Sequence, residues 1–140
     1  WTKHPDARVH AWLRWFSGGP VYCSDALGET DPETLKPFFD EDGVLTHPDG
    51  VGMPVIGSLL SDPAHSTVPL GVRNMFRGEE VLLFVGLNTA AVQSAHIPAG
   101  DSACLVRNLE TGECTQVGAG ETLDVELRYG EYAALAVARA

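Results

Sequence analysis

The sequence predicts an α+β protein that is mostly β, with one helix and a short strand followed by a series of antiparallel strands. The first observation is an apolar repeat at the i, i+3, i+4, i+7 spacing of an amphipathic helix. It is carried by Val9, Trp12, Leu13 and Phe16. The second is a change after Asp40, beyond which short Val- and Leu-rich runs alternate with Gly and Pro. Turn-bounded runs of this kind are typical of an antiparallel β-sandwich.

The sequence around the helix predicts where it begins and ends. Pro5 suits the first helical position, and Asp6 complements the positive end of the helix dipole. Gly18 and Gly19 are expected to end the helix, and a short buried strand is predicted over Pro20–Cys23. Asp31 is expected to cap a brief second helix that reaches about Phe39.

Nine further strands are predicted after residue 43. They are Val44–Thr46, Pro54–Leu60, Leu70–Phe76, Val81–Leu87, Val92–Ile97, Ala103–Asn108, Cys114–Val117, Thr122–Arg128 and Tyr132–Ala138. Two turn signals, Thr111-Gly112 and Tyr129-Gly130, predict two hairpins.

Length and charge exclude several kinds of protein. At 140 residues the chain has room for one ordinary domain, whereas a complete (β/α)8 barrel needs roughly 200 residues or more. The net charge of −10 argues against nucleic acid as a partner, because phosphate binding needs clustered Lys and Arg. No run of about 18 apolar residues is present, so no membrane span is expected. The chain opens on Trp1 rather than Met, which suggests a fragment whose N-terminal part is missing.

The three cysteines are an odd number without CxxC spacing. Cys23 lies in the predicted strand and is expected to be a small buried thiol. Cys104 and Cys114 flank a predicted hairpin, where they could face each other or remain a reduced pair. The localisation is open, and this usage favours a reducing, cytoplasmic compartment.

The five histidines show no HxxxH motif and no Cys/His cluster. His4 and His10 are six residues apart, a spacing that does not place them on one helical face. No metal site is therefore predicted. His10 is expected to be a buried, hydrogen-bonded helix residue rather than a catalytic base.

The stretch Ser17–Asp25 carries the clearest candidate site. Its glycines close a helix and precede a strand, the reverse of a phosphate loop, so a helix cap and tight turn are predicted. Ser24 and Asp25 follow the predicted strand, at the end where barrel enzymes place functional groups. They could line a polar pocket, or they could open a loop as a simple Asx or Ser turn.

His10-Ala11, Arg14 and Ser17–Asp25 resemble the raffinose synthase and seed-imbibition-protein group, α-galactosidase relatives in glycoside hydrolase family thirty-six. That group reads H-A-x-x-R-A-x-S-G-G-P-V-Y-V-S-D, and Trp15 replaces the usual Ala. The resemblance continues to about residue 90, and the departures at 74–78 leave the substrate open. The further matching segments are Asp31–Leu35, Asp42–Leu45, Leu60–Pro63, Leu70–Asn74 and Val85–Asn88.

The resemblance implies two domains. Residues 1–40 would be the last helix–strand unit of a catalytic (β/α)8 barrel of TIM type, incomplete here, and residues 41–140 an antiparallel β-sandwich. The family's nucleophile and acid/base are both Asp and would lie upstream of Trp1, so no catalytic residue is expected in this chain.

The resemblance also implies what the chain contributes to a larger enzyme. Asp25, Ser24 and His4 are expected to contact substrate, an α-galactoside or related oligosaccharide. No metal and no organic cofactor are expected, and the missing N-terminal barrel segment would be the protein partner. The intact enzyme would be a retaining glycoside hydrolase or a galactosyltransferase, and this chain alone would be inactive.

A noncatalytic β-sandwich, used for carbohydrate binding or as a scaffold, is the alternative. A binding module of this kind needs exposed aromatic side chains on one sheet face. The aromatic residues that could form such a face are few, and their sequence surroundings are typical of interior positions. They are Phe76, Phe84, Tyr129 and Tyr132.

Overall fold

Eight β-strands and three short α-helices make up the regular structure of residues 1–139, the part of the chain that the computed structural model describes. The helices are α1 (Ala7–Phe16), α2 (Pro32–Leu35) and α3 (Ile56–Leu59), and a 3-10 turn (Lys36–Phe38) follows α2. The strands are β1 (Met53–Pro54), β2 (Leu70–Phe76), β3 (Glu79–Val85), β4 (Gln93–Pro98), β5 (Cys104–Asn108), β6 (Cys114–Val117), β7 (Thr122–Leu127) and β8 (Tyr132–Arg139).

The strands form two antiparallel sheets. The larger has the order β1-β2-β3-β8-β5-β6, and the smaller pairs β4 with β7. The predicted mostly β class and its antiparallel sheets are confirmed. Across the described residues, no helix combines the length and the apolar character that a bilayer crossing needs.

The central strands of the large sheet are apolar on both faces. On one face, Leu82 and Phe84 of β3 pack with Ile97 of β4 and Leu127 of β7. On the other face, the intervening β3 residues pack under α1, as the alternation of side chains along a strand requires. These residues are Val81, Leu83 and Val85. The large sheet is therefore covered by the small sheet on one side and by the helical segment on the other.

Helix α1 packs against the sheet through a cluster of aromatic side chains. Trp12, Trp15 and Phe16 are buried, and the ring centroids of Trp12 and Phe38 are 4.7 Å apart. Trp15 Nε1 donates a hydrogen bond of 2.9 Å to the carbonyl of Thr46. Residues 1–40 thus share an apolar core with the strands that follow, and the division at residue 40 stays a prediction.

The start of α1 and the segment after it differ from the sequence prediction. Pro5 lies in a turn, and the helix begins at Ala7. The segment Pro20–Cys23 forms no strand, because no described strand lies beside it to complete a hydrogen-bonded ladder. The prediction of a buried Cys23 is wrong, since its side chain is exposed.

Two predicted strands are reduced. Pro54–Leu60 becomes the two-residue β1 followed by α3, because Ser58 bridges this turn to β2. Its hydroxyl donates to the carbonyl of Pro69 at 2.8 Å and accepts from the N–H of Gly71 at 2.6 Å. Val44–Thr46 contributes only an isolated bridge between Leu45 and Phe39.

One of the two predicted hairpins is present. Thr111-Gly112 joins β5 to β6, which are paired, whereas Tyr129-Gly130 joins β7 to β8, which lie in different sheets. The second turn therefore crosses between the two layers. Cys104 is opposite Val117 and buried, while Cys114 is exposed, so the two thiols do not face each other.

Asn74 on β2 fixes the end of α1. Its side-chain Nδ2 donates hydrogen bonds to the carbonyls of Phe16 at 2.9 Å and Gly50 at 2.8 Å. Asn74 is 8% exposed, so water has little access to this position. The Asn74 amide therefore supplies the hydrogen-bond donor that the two carbonyls need.

Glu110, in the β5–β6 connection, gathers three donors. Its Oε1 accepts from Arg8 Nη1 at 2.9 Å, Trp12 Nε1 at 3.2 Å and the hydroxyl of Tyr132 at 2.7 Å. Burial, followed by the hydrogen bond to Glu110, raises the pKa of the Tyr132 phenol above its ordinary value. The carboxylate therefore links α1, the β5–β6 hairpin and β8.

We expect Asn74→Ala to lower the free energy of unfolding by about 1–3 kcal/mol, because two carbonyls lose their donor in a buried position. Arg73→Ala, on the exposed face of the same strand, is the control and should change it by about 0.5 kcal/mol or less. Urea denaturation measures both. Equal effects of the two substitutions would contradict the role of Asn74.

The stability of the protein should depend on the protonation of Tyr132. Its folded-state pKa lies above that of the unfolded chain, so the protonated phenol contributes stability that is complete below about pH 10 and is lost as the pH rises further. Tyr132→Phe removes this contribution. Urea denaturation should show that the free energy of unfolding falls less between pH 9 and pH 11 in the variant than in the parent protein. Equal decreases in the two proteins would contradict the prediction.

Candidate functional site

The segment Ser17–Asp25 leaves α1 through a tight turn. The N–H of Gly18 donates to the carbonyl of Trp15, and Gly18 has a φ of 74°, in the left-handed region that favours glycine. A Cβ at this position would overlap the carbonyl oxygen of Gly50. The predicted helix cap and turn are confirmed, and the glycine is required by both conformation and space.

The carboxylate of Asp25 is buried and accepts hydrogen bonds from Thr2. Its side chain is 6% exposed and forms an ion pair with the amino group of Trp1. Oδ1 accepts from the backbone N–H of Thr2 at 3.1 Å, and Oδ2 accepts from the Thr2 hydroxyl at 2.7 Å. Asp25 therefore anchors residues 1–2 beside the loop that follows the Ser17–Asp25 segment.

Thr2 extends this network to α2. Its hydroxyl accepts from the N–H of Asp31 at 2.8 Å, and its carbonyl accepts from the hydroxyl of Thr34 at 3.2 Å. Asp31 also caps α2, since its Oδ1 accepts from the N–H of Glu33. The predicted cap is confirmed. Thr2 is 2% exposed and is the residue that sequence reasoning missed, because nothing in its local pattern distinguishes it from a loop threonine.

The other two predicted substrate residues lie at the surface. Ser24 and His4 are both exposed, and none of the hydrogen bonds within residues 1–139 joins either of them to the Asp25 carboxylate. The structure thus separates one buried carboxylate from a hydroxyl and an imidazole that are open to solvent.

His4, Asp6 and His10 come together at the start of α1. One ligand atom from each lies within 4.8 Å of the others, and the two imidazole rings are 6.1 Å apart. The spacing argument that separated the histidines is wrong, because residues 2–6 form turns rather than helix. His10 is exposed, so the expectation of a buried histidine is also wrong.

Two clefts lie on the large sheet. One, of about 430 Å³, is lined by residues 49–53 and the exposed face of β2. The other, of about 470 Å³, lies between α3, β3 and β4 and is mostly apolar. Arg73 and Glu80 line both clefts and are charged positions that the sequence analysis did not single out.

The described residues provide no aromatic platform on either sheet. Phe84 is buried in the core, Phe76 and Tyr132 are half-buried, and Tyr129 is 63% exposed at a turn. An isolated exposed tyrosine does not form the stacking face that a sugar-binding sandwich needs.

Comparison with known proteins identifies relatives for slightly less than half of the chain. Galactinol–sucrose galactosyltransferase of Pisum sativum is 40% identical over 65 residues, which are 46% of this chain and 8% of that protein. The enzyme of the same name from Oryza sativa subsp. japonica is 40% identical over 64 residues, with the same coverage. The matched part of this chain spans less than a tenth of the length of these relatives.

A solved structure supports the fold of the whole chain. A candidate alpha-N-acetylgalactosaminidase from Bacillus halodurans C-125 superposes with a TM-score of 0.69 at 10% identity. The superposition covers 100% of this chain and 34% of the bacterial protein. At this identity the likeness concerns the fold alone.

The sequence profile described as "Raffinose synthase or seed imbibition protein Sip1" matches residues 1–82, which include α1, the Ser17–Asp25 segment and β2. This match covers more than half of the chain, and the protein therefore belongs to the raffinose synthase and seed imbibition protein family.

Proposed function

We propose that this chain is the C-terminal part of an α-galactoside-processing enzyme, a retaining glycoside hydrolase or a galactosyltransferase. The observation that carries the proposal is the family match over residues 1–82, which includes the buried Asp25 carboxylate. The named relatives are galactosyltransferases, and the match covers 8% of the length of each. The fold match likewise covers 34% of a larger protein.

In this proposal residues 1–40 are the last helix–strand unit of the catalytic barrel, and residues 41–140 are its C-terminal β-sandwich. In the proposal the segment 20–23 would be a barrel strand that pairs with an upstream strand. Tyr22, 63% exposed, would be covered by that upstream strand. The upstream barrel segment is therefore the proposed protein partner.

The geometry favours one of two roles for Asp25. A carboxylate that binds sugar must be accessible to it, whereas the Asp25 side chain is 6% exposed and both of its oxygens accept hydrogen bonds from Thr2. We therefore propose that Asp25 is a positioning residue that holds the adjoining chain. The exposed Ser24 hydroxyl and His4 ring remain the proposed contacts for the hydroxyl groups of an α-galactoside.

The proposed chemistry places the reacting carboxylates outside this chain. A retaining mechanism uses two carboxyl groups about 5 Å apart, one as nucleophile and one as acid/base. The Asp25 carboxylate is buried and hydrogen-bonded to Thr2, and we assign it neither task. The proposed reaction needs no metal and no organic cofactor, and this chain contributes positioning and substrate contacts.

The isolated chain should not hydrolyse α-galactosides, because the proposed reacting pair is absent. A purified preparation incubated with an aryl α-galactoside should release phenol at the rate of a buffer control. Turnover above that rate, abolished by Asp25→Asn, would overturn the assignment of the catalytic pair to an upstream segment.

In the longer protein that includes the upstream strands, Asp25→Asn should lower kcat about ten- to a hundredfold with little change in KM. Thr2→Val removes the hydroxyl that donates to Asp25 and accepts from the N–H of Asp31, but it keeps the backbone contact to Asp25, so it should lower kcat by a smaller factor. Such a shared effect supports positioning.

The competing results for this pair of variants are distinct. A raised KM in Asp25→Asn, with no effect of Thr2→Val, would assign Asp25 to direct sugar binding. Unchanged kinetics with a lower Tm in both variants would reduce the network to a purely structural role and contradict the proposal for Asp25.

A further inference from the structure

We propose that His4, Asp6 and His10 form a binding site for one Zn²⁺ ion. The two imidazoles and the carboxylate approach one another where the N-terminal turns meet α1. This inference shares one residue, His4, with the proposed substrate contacts, and it rests on the geometry and donor chemistry of these three side chains.

The three side chains need little movement to hold an ion. His4 Nδ1 and Asp6 Oδ2 are 3.8 Å apart, and the three ligand atoms lie within 4.8 Å of one another. Zinc–ligand distances of about 2.0–2.2 Å in a tetrahedral arrangement place ligands about 3.3–3.6 Å apart. His4 and Asp6 side chains are each 59% exposed, so rotation about their side-chain bonds can close this difference.

The donor set is one that zinc accepts. Imidazole nitrogens and a carboxylate oxygen are common zinc ligands, and three protein ligands leave a fourth position for water. His4 Nδ1 accepts a hydrogen bond of 3.1 Å from the backbone N–H of Asp6, so this nitrogen is unprotonated and its lone pair is directed at that N–H. An ion at this nitrogen would replace that hydrogen bond.

The cluster borders a cleft on the surface. Asp6 and His10 line a cleft of about 260 Å³ whose other wall includes Val85, Leu87 and Tyr129. An ion bound there would be bordered by apolar side chains on one side. The nearest arginine along the helix, Arg8, is paired with Glu110 and so does not neutralise Asp6.

Other histidine–carboxylate pairs in the described chain provide internal controls. His65 Nδ1 lies 2.8 Å from Asp62 Oδ2, and His96 Nδ1 lies 2.6 Å from Asp124 Oδ1. Within residues 1–139, only the cluster at the start of α1 adds a third ligand. If two exposed ligands were sufficient, these pairs would bind zinc as well.

The test is calorimetric titration of the tag-free chain with ZnCl2 at pH 7.5. The exposed thiols would also bind zinc, so every protein in the series carries Cys23→Ser and Cys114→Ser. The parent protein should bind one Zn²⁺ per chain. His10→Ala should weaken this binding at least about tenfold, and His65→Ala should leave it unchanged.

A second measurement protects the test from a folding artefact. Circular dichroism should show the same spectrum for the parent and His10→Ala, because the substituted side chain is exposed. The absence of zinc binding by the parent would overturn the proposal. So would equal affinity in His10→Ala, or an equal loss in His65→Ala. None of these results depends on enzymatic activity, so a failure of zinc binding can be distinguished from a failure of the proposed function.

Discussion

The burial of β3 and β8 on both faces is the constraint on which the rest of the structure depends. Leu82 and Phe84 point toward the small sheet, while Val81, Leu83 and Val85 point toward α1. Each such side chain contributes about 1.5–3 kcal/mol when it is fully removed from water. A sheet with two apolar faces needs two covers, and this explains why a helix with an unusually broad aromatic face precedes a run of strands.

The cover provided by α1 is oriented by polar contacts at its ends. Glu110 holds the first turns of the helix through Arg8 and Trp12, and Asn74 holds the carbonyl of Phe16 at its last turn. Apolar packing alone allows a helix to slide over a sheet, whereas these directional hydrogen bonds fix its position. The same contacts therefore fix where the Ser17–Asp25 segment leaves the helix, and they link the core to the candidate site.

Sequence reasoning succeeded where structure is set by local pattern. The bounds of β2 and β6 were predicted residue for residue, because alternating side chains and nearby glycine turns are local signals. It failed where a distant partner decides. The segment around Ser58 was predicted as a strand but forms α3, and the Ser58 hydroxyl is hydrogen-bonded to Pro69 and Gly71, more than ten residues away. The segment Pro20–Cys23 was also predicted as a strand, and no described strand lies beside it. The convergence of His4 and His10 was missed because the intervening turn could not be distinguished from a first helical turn.

The candidate site follows the same division. The Ser17–Asp25 motif could be found by its glycines and by its resemblance to a family, but the partner of Asp25 could not, since Thr2 lies 23 residues away and has no distinguishing pattern. That partner changes the chemical interpretation. An exposed Asp at the end of a barrel strand would be a natural sugar ligand, whereas a buried Asp that is hydrogen-bonded to Thr2 links two chain segments. In a barrel enzyme those segments would belong to neighbouring strands, so a hydrogen bond that stabilises the loop would also set the spacing of groups around the substrate.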